Sequence, residues 1–147
     1  LCAVSDYARI HCDRRLTVGE TRESSVKEIE EIVKGMKAKV EVLHYEVESY
    51  TGLKYGMEKY YPTWAIPESE EIVQTGAKVY EALFDSKPKI DKWTFSTNGV
   101  TINGYYDIPT IGFGPGNEVM AHAPNEKTPI DHLVMAAAFY ALYAQTI

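Results

Sequence analysis

A chain of 147 residues, 45% of them apolar, is long enough for one domain with a real core or for two small lobes. No apolar run approaches the roughly 18 residues a membrane helix needs. A net charge of −6, with no Lys or Arg run longer than Arg14-Arg15, excludes the basic face that recruits phosphates, so neither nucleic acid nor membrane is an expected partner.

The opening LCAVSDYARIHCDRR has no basic segment leading into an apolar one, so it does not read as a secretory signal. It reads as a strand entered midway, and the chain is expected to be part of something longer. Cys2 and Cys12 fall on that one strand, too far apart for a disulfide while it stays extended. Two unpaired thiols suit a reducing cytoplasm.

Residues 6–17 mix β-branched, aromatic and polar side chains as a strand does, and TVGE turns the chain. A helix is expected over residues 21–36, with Thr21 as N-cap, Ser25 and Glu28 as a capping box, and Val26, Ile29, Ile32, Val33 and Met36 on one face. Gly35 weakens its last turn. Residues 39–50 alternate as a half-buried strand, with Leu43, Tyr45 and Val47 on one side and Val40, Val42 and His44 on the other. Residues 51–70 show no period and are too aromatic for a disordered linker, so an ordered crossover is expected there. A second helix spans about residues 68–84, with Ile72, Val73, Tyr80, Leu83 and Phe84 as its stripe. Residues 90–102 read as a strand broken by a polar turn at 96–99. Residues 108–114 read as a short strand of the kind buried in a parallel sheet, and residues 128–144 as a closing helix with Pro129 in its first turn. The predicted class is α/β: strand-helix-strand, then helix-strand-strand-helix.

Among residues that could carry chemistry, His122 comes first. The neighbouring GPG and PNE fix backbone geometry that glycine and proline supply at least cost, between a buried strand and a helix, where open α/β sheets keep their sites. It is either a metal ligand or a capping histidine on a tight loop. Glu126 is near enough in sequence to orient or charge-tune the imidazole. His11, His44 and His132 read as cross-strand, surface or capping groups, and no pair of ligands shows metal-site spacing. Arg14 and Arg15 alternate on a strand and cannot both face solvent on one face. One must meet Asp13, another carboxylate, or an anionic ligand that a guanidinium grips in two places. STNGV supplies hydroxyls, an amide and a glycine suited to a ligand's polar atoms, and equally to any tight turn. Phosphate-cradling, dinucleotide and nucleophile-elbow motifs are lacking.

Five stretches, DRRLTVGET, PTW, DKWTFSTNGV, IPTIGFGPGNE and AHAPNEKTPIDHL, closely resemble in order and spacing the C-terminal part of a dinuclear zinc hydrolase family. That family includes acetylornithine deacetylase, succinyl-diaminopimelate desuccinylase and aminoacylase, and the nearest subgroup is the hydrolases linked to selenium metabolism. The resemblance implies a catalytic domain with two zinc ions, or cobalt or manganese in their place, and an inserted lid that mediates dimerisation. It implies that residues 1–50 are half of the lid and residues 51–147 the C-terminal part of the catalytic domain. His122 matches the last metal ligand, Arg15 the lid arginine that holds a substrate carboxylate, and Asn98 and Gly99 the substrate-lining turn. Leu1 stands where many members carry a substrate-contacting asparagine. The family's other metal ligands, its general base and its lid histidine have no counterpart among these residues. The resemblance therefore implies a portion of a zinc-dependent amidohydrolase or peptidase acting on an N-acyl amino acid or small peptide, inactive alone and paired with a second copy or with a missing N-terminal segment. The alternative is a non-catalytic dimerisation or assembly module.

Overall fold

The computed structural model describes residues 3–147; Leu1 and Cys2, and the expectations attached to them, lie outside the described residues. In chain order the elements are α1 (Arg22–Ile32), β1 (His44–Tyr45), β2 (Met57–Glu58), α2 (Glu71–Phe84), a π-helical turn (Val100–Tyr105), a 3-10 turn (Glu118–Met120) and α3 (Ile130–Thr146). This is a mixed chain of helices with one small antiparallel sheet, consistent with the α/β class. No described helix is long and apolar enough to cross a membrane.

Helix α1 starts where the sequence places it, but by a different cap. The Thr21 hydroxyl accepts from the Ser24 amide at 3.1 Å, and the Ser24 hydroxyl accepts from the Thr21 amide at 2.9 Å. The capping box is therefore Thr21 with Ser24, not Ser25 with Glu28. Ser25 lies inside the helix, and Glu28 meets Arg14 at 2.7 Å. The helix ends at Ile32, short of Met36, and Gly35 takes a left-handed φ of 82° just beyond it.

The expected strand at residues 39–50 survives only as β1. It pairs antiparallel with β2, His44 opposite Glu58 and Tyr45 opposite Met57, with a further bridge between Glu48 and Lys54. The return strand lies inside the segment read as an irregular crossover. Gly52, at φ 82°, closes the turn by donating its amide to the Ser49 carbonyl at 2.9 Å. The boundary expected at residue 50 thus falls inside a hairpin turn. Arg22 grips Glu58 with two bonds of 2.7 and 2.6 Å, tying α1 to the hairpin.

The strands expected at residues 6–17, 90–102 and 108–114 join no ladder among the described residues, where the hairpin and its bridge account for all strand pairing. Alternation of side chains marks a face, whereas a strand needs a neighbour for its N–H and C=O groups. None is placed beside these segments. Residues 100–102 instead wind into the π-helical turn.

The core is the contact between α2 and α3. Val73 and Val79 on one helix and Ala136 and Phe139 on the other are the buried apolar side chains. Gly76 lets the helices approach, since a methyl there would come within 2.8 Å of Ile111 and 3.6 Å of Tyr143. The Tyr143 hydroxyl donates to the Ile72 carbonyl at 3.0 Å, and burial pushes its pKa up. α2 ends on Asp85 in a left-handed conformation, φ 48°, and α3 begins after Pro129. Outside this pair little is covered. The accessible surface is 12367 Å², against about 7,600 Å² for a compact monomer of 16.6 kDa.

Two outcomes follow for stability. Phe139→Ala should cost ~3–5 kcal/mol in urea unfolding, the usual cost of emptying a buried aromatic site. The second concerns Glu20, whose pKa falls from its ordinary 4.5 to about 2 because it accepts from the Thr17 amide and from Arg14. A depressed carboxylate stabilises the fold above 4.5 and loses that contribution as pH falls toward 2. Thermal melts between those pH values should therefore show a slope that Glu20→Gln reduces; an unchanged slope would exclude this role.

Candidate functional site

The loop between the π-helical turn and α3 is fastened at several points. Asp107 takes a φ of 53°, and the buried Asn103 carboxamide donates to the Ile108 carbonyl at 3.1 Å. Phe113 then stacks on Phe139 at 4.0 Å between ring centroids and receives the Tyr140 hydroxyl on its carbonyl. Gly116, at φ 107°, donates its amide to His132 Nδ1 at 3.3 Å. The Asn117 side chain caps the Glu118–Met120 turn at 3.0 Å, and Glu118 accepts from the Thr94 hydroxyl at 2.7 Å.

This frame delivers His122 in a conformation its residue type resists. Its φ is 61°, with Asn125 at 60° three residues on. For a residue with a Cβ the left-handed region costs roughly 1–2 kcal/mol, and such strain persists only where the surroundings impose it. Here Glu126 helps impose it, accepting the His122 main-chain N–H at 3.1 Å. That differs from the expected contact with the ring: the carboxylate shapes the backbone that carries the imidazole. The His122 side chain is exposed.

Asn98 and Gly99 lie elsewhere on the same lobe. The Asn98 carbonyl accepts the Thr101 and Ile102 amides, both at 3.0 Å, while its carboxamide takes part in no hydrogen bond among the described residues. Gly99 is buried beneath Trp64, with which any added Cβ would collide. Both residues line a cleft of about 300 Å³ whose other wall is Trp93.

The two arginines divide their roles. Arg14 joins Glu20 and Glu28, both of which raise its pKa. Arg15 makes one exposed ion pair, with Asp13 at 3.2 Å, and has no bond to His122, Asn98 or Glu126 among the described residues. The structure thus brings His122 together with Glu126 and Asn98 together with Gly99, and leaves Arg15 apart. Reasoning from sequence missed His132 as the anchor of Gly116, and the two tryptophans as walls. PTW and DKWTF place an indole in each wall, but nothing local pairs either with a glycine. His44 stands opposite Glu58 as a cross-strand partner, His11 belongs to no ladder, and Cys12 is an exposed free thiol.

The lobe thus combines a mixed α/β frame, a strained loop presenting one imidazole and a polar turn bordering a cleft. The chain belongs to peptidase family M20/M25/M40, whose profile matches residues 3–146. That family comprises metallopeptidases, and its members generally bind metal ions. The chain is 51% identical over 142 residues to the uncharacterized protein YgeY of Escherichia coli strain K12, and equally to that of Escherichia coli O157:H7. The match takes in 95% of this chain and 35% of either relative, so the chain spans about a third of their length. No solved structure matches it.

The strain at His122 predicts an order of stabilities. His122→Gly should be more stable than His122→Ala by about 1 kcal/mol, because glycine adopts that φ without penalty. Chemical denaturation of the two variants reads the difference directly, and equal stabilities would mean the loop relaxes.

Proposed function

We propose that this chain is a portion of a zinc-dependent hydrolase that cleaves the amide bond of an N-acyl amino acid or small peptide, of the subgroup linked to selenium metabolism, and that it is inactive by itself. The observation that carries this reading is His122: an exposed imidazole on backbone held at φ 61° by Glu126. Packing alone gives no reason to hold a histidine there, whereas a ligand to a cation needs a fixed direction. Family membership supplies the class of chemistry.

No group of three or more His, Cys, Asp or Glu side chains among the described residues could hold a metal ion. A catalytic zinc takes about three protein ligands. His122 is one, and the Glu126 carboxylate is engaged with the main chain. These residues do not by themselves close a zinc, cobalt or manganese site.

The remaining ligands and the general base then come from polypeptide that the longer relatives contain and this chain lacks. The unpaired segments at residues 6–17, 90–95 and 108–114, and the surface in excess of a compact monomer, support the same view. Residues 1–50 would form half of a lid through which two copies pair, and 51–147 the end of the catalytic domain. Arg15 remains for a substrate carboxylate because Arg14 is committed to Glu20 and Glu28. The exposed Cys12 thiol fits a cytoplasmic setting.

The test has two arms. The chain alone, incubated with zinc or cobalt and a panel of N-acyl amino acids, should show no turnover. Fused to the remaining two-thirds of a relative such as YgeY, it should show metal-dependent turnover that His122→Ala removes. Turnover by the chain alone would defeat the portion reading. An inactive fusion that still forms a concentration-dependent dimer by sedimentation would favour a non-catalytic assembly module.

A further inference from the structure

Both tryptophans of the chain, Trp64 and Trp93, border the cleft beside Asn98 and Gly99, and each lies over a glycine. A Cβ on Gly99 would strike the Trp64 indole, and one on Gly112 would strike that of Trp93. Trp93 is further seated by stacking on Phe95, with ring centroids 5.8 Å apart and planes 15° from parallel. Glycine at both positions lets the indoles sit flat against the backbone, so that they wall the cleft and do not fill it.

The chemistry of the lining is one-sided. It contains no Lys, Arg, His, Asp or Glu. Its polar side chains are Thr97, Thr110, Tyr140 and Asn98: the hydroxyls of the first three are engaged with the main chain, while the Asn98 carboxamide has no hydrogen-bond partner among the described residues. A cleft of about 300 Å³ accepts a benzyl- or indolyl-sized group with an adjoining amide. A carboxylate placed there meets no cation to offset whatever hydration it gives up. A neutral aromatic ring loses nothing of that kind and gains offset stacking on an indole.

From these features we infer that the cleft is a specificity pocket for an uncharged aromatic group of the substrate, with Trp64 and Trp93 as its walls and Asn98 receiving the neighbouring amide. The assignment rests on the hydrolase reading above and narrows it: the acyl group or side chain accepted here is aromatic and neutral, and a dicarboxylic acyl group is refused.

The experiment is a binding measurement on the full chain and needs neither metal nor turnover. With two tryptophans, a ¹⁵N spectrum carries two indole N–H signals, both reporting on this cleft. Titration with N-acetylphenylalaninamide should move both signals along a saturating curve, and N-acetylaspartate should bind at least tenfold more weakly. Ile102→Glu, at a half-exposed lining position, should weaken the phenylalanine probe at least tenfold with the backbone spectrum still dispersed. Unmoved indole signals, equal binding of the dianion, or an Ile102→Glu chain that is folded and binds like the parent would each overturn the assignment. Should Ile102→Glu fail to fold, the comparison of the two ligands on the parent chain decides. Because this readout is independent of turnover, a negative result alongside metal-dependent hydrolysis by the fusion sinks the pocket alone. Binding without hydrolysis sinks the catalytic reading alone.

Discussion

The contact between α2 and α3 is the constraint from which the rest of the lobe hangs. Val73, Val79, Ala136 and Phe139 are its buried apolar side chains, and Gly76 allows the helices to close on them. Phe113 adds its ring to Phe139, which fixes one end of the long loop. His132, on the first turn of α3, fixes another point by accepting the Gly116 amide. A loop with so few regular bonds has little other reason to keep one shape. Its geometry is inherited from the helices that flank it.

The position of His122 follows from that inheritance. Backbone strain of roughly 1–2 kcal/mol at one residue is sustained because Glu126, Asn125 and the fastened 3-10 turn leave the chain no relaxed alternative. The cleft arises from the same logic applied to side chains. Trp64 and Trp93 have large apolar faces, and glycines at 99 and 112 let those faces lie on the main chain.

Elsewhere less of the chain is held in regular structure. The segment with Tyr7, Ile10 and Arg14 has the composition of a strand yet joins no ladder among the described residues. Arg14 with Glu20 and Glu28, and Arg22 with Glu58, hold the first part of the chain by ion pairs at a surface where such pairs contribute modestly. Exposed Val4, Ile10, Ile32 and Val134 belong to faces that nothing here covers.

Local sequence determined what depends on neighbours within a few residues. Helical spacing located α1, α2 and α3 to within a few positions, and the glycines and prolines around His122 announced a constrained loop. The order of its motifs sufficed to suggest the family to which the profile assigns it. Tertiary structure alone decided everything that pairs distant residues. It folded residues 57–58 back onto 44–45 across an expected boundary, paired Arg14 with Glu28, and left Arg15 exposed. It also laid each indole on its glycine. The physical reason is common to all of these: periodicity and capping preferences are written in adjacent side chains. A ladder partner, an ion pair or an aromatic wall is instead settled by competition among groups that meet only once the chain has folded.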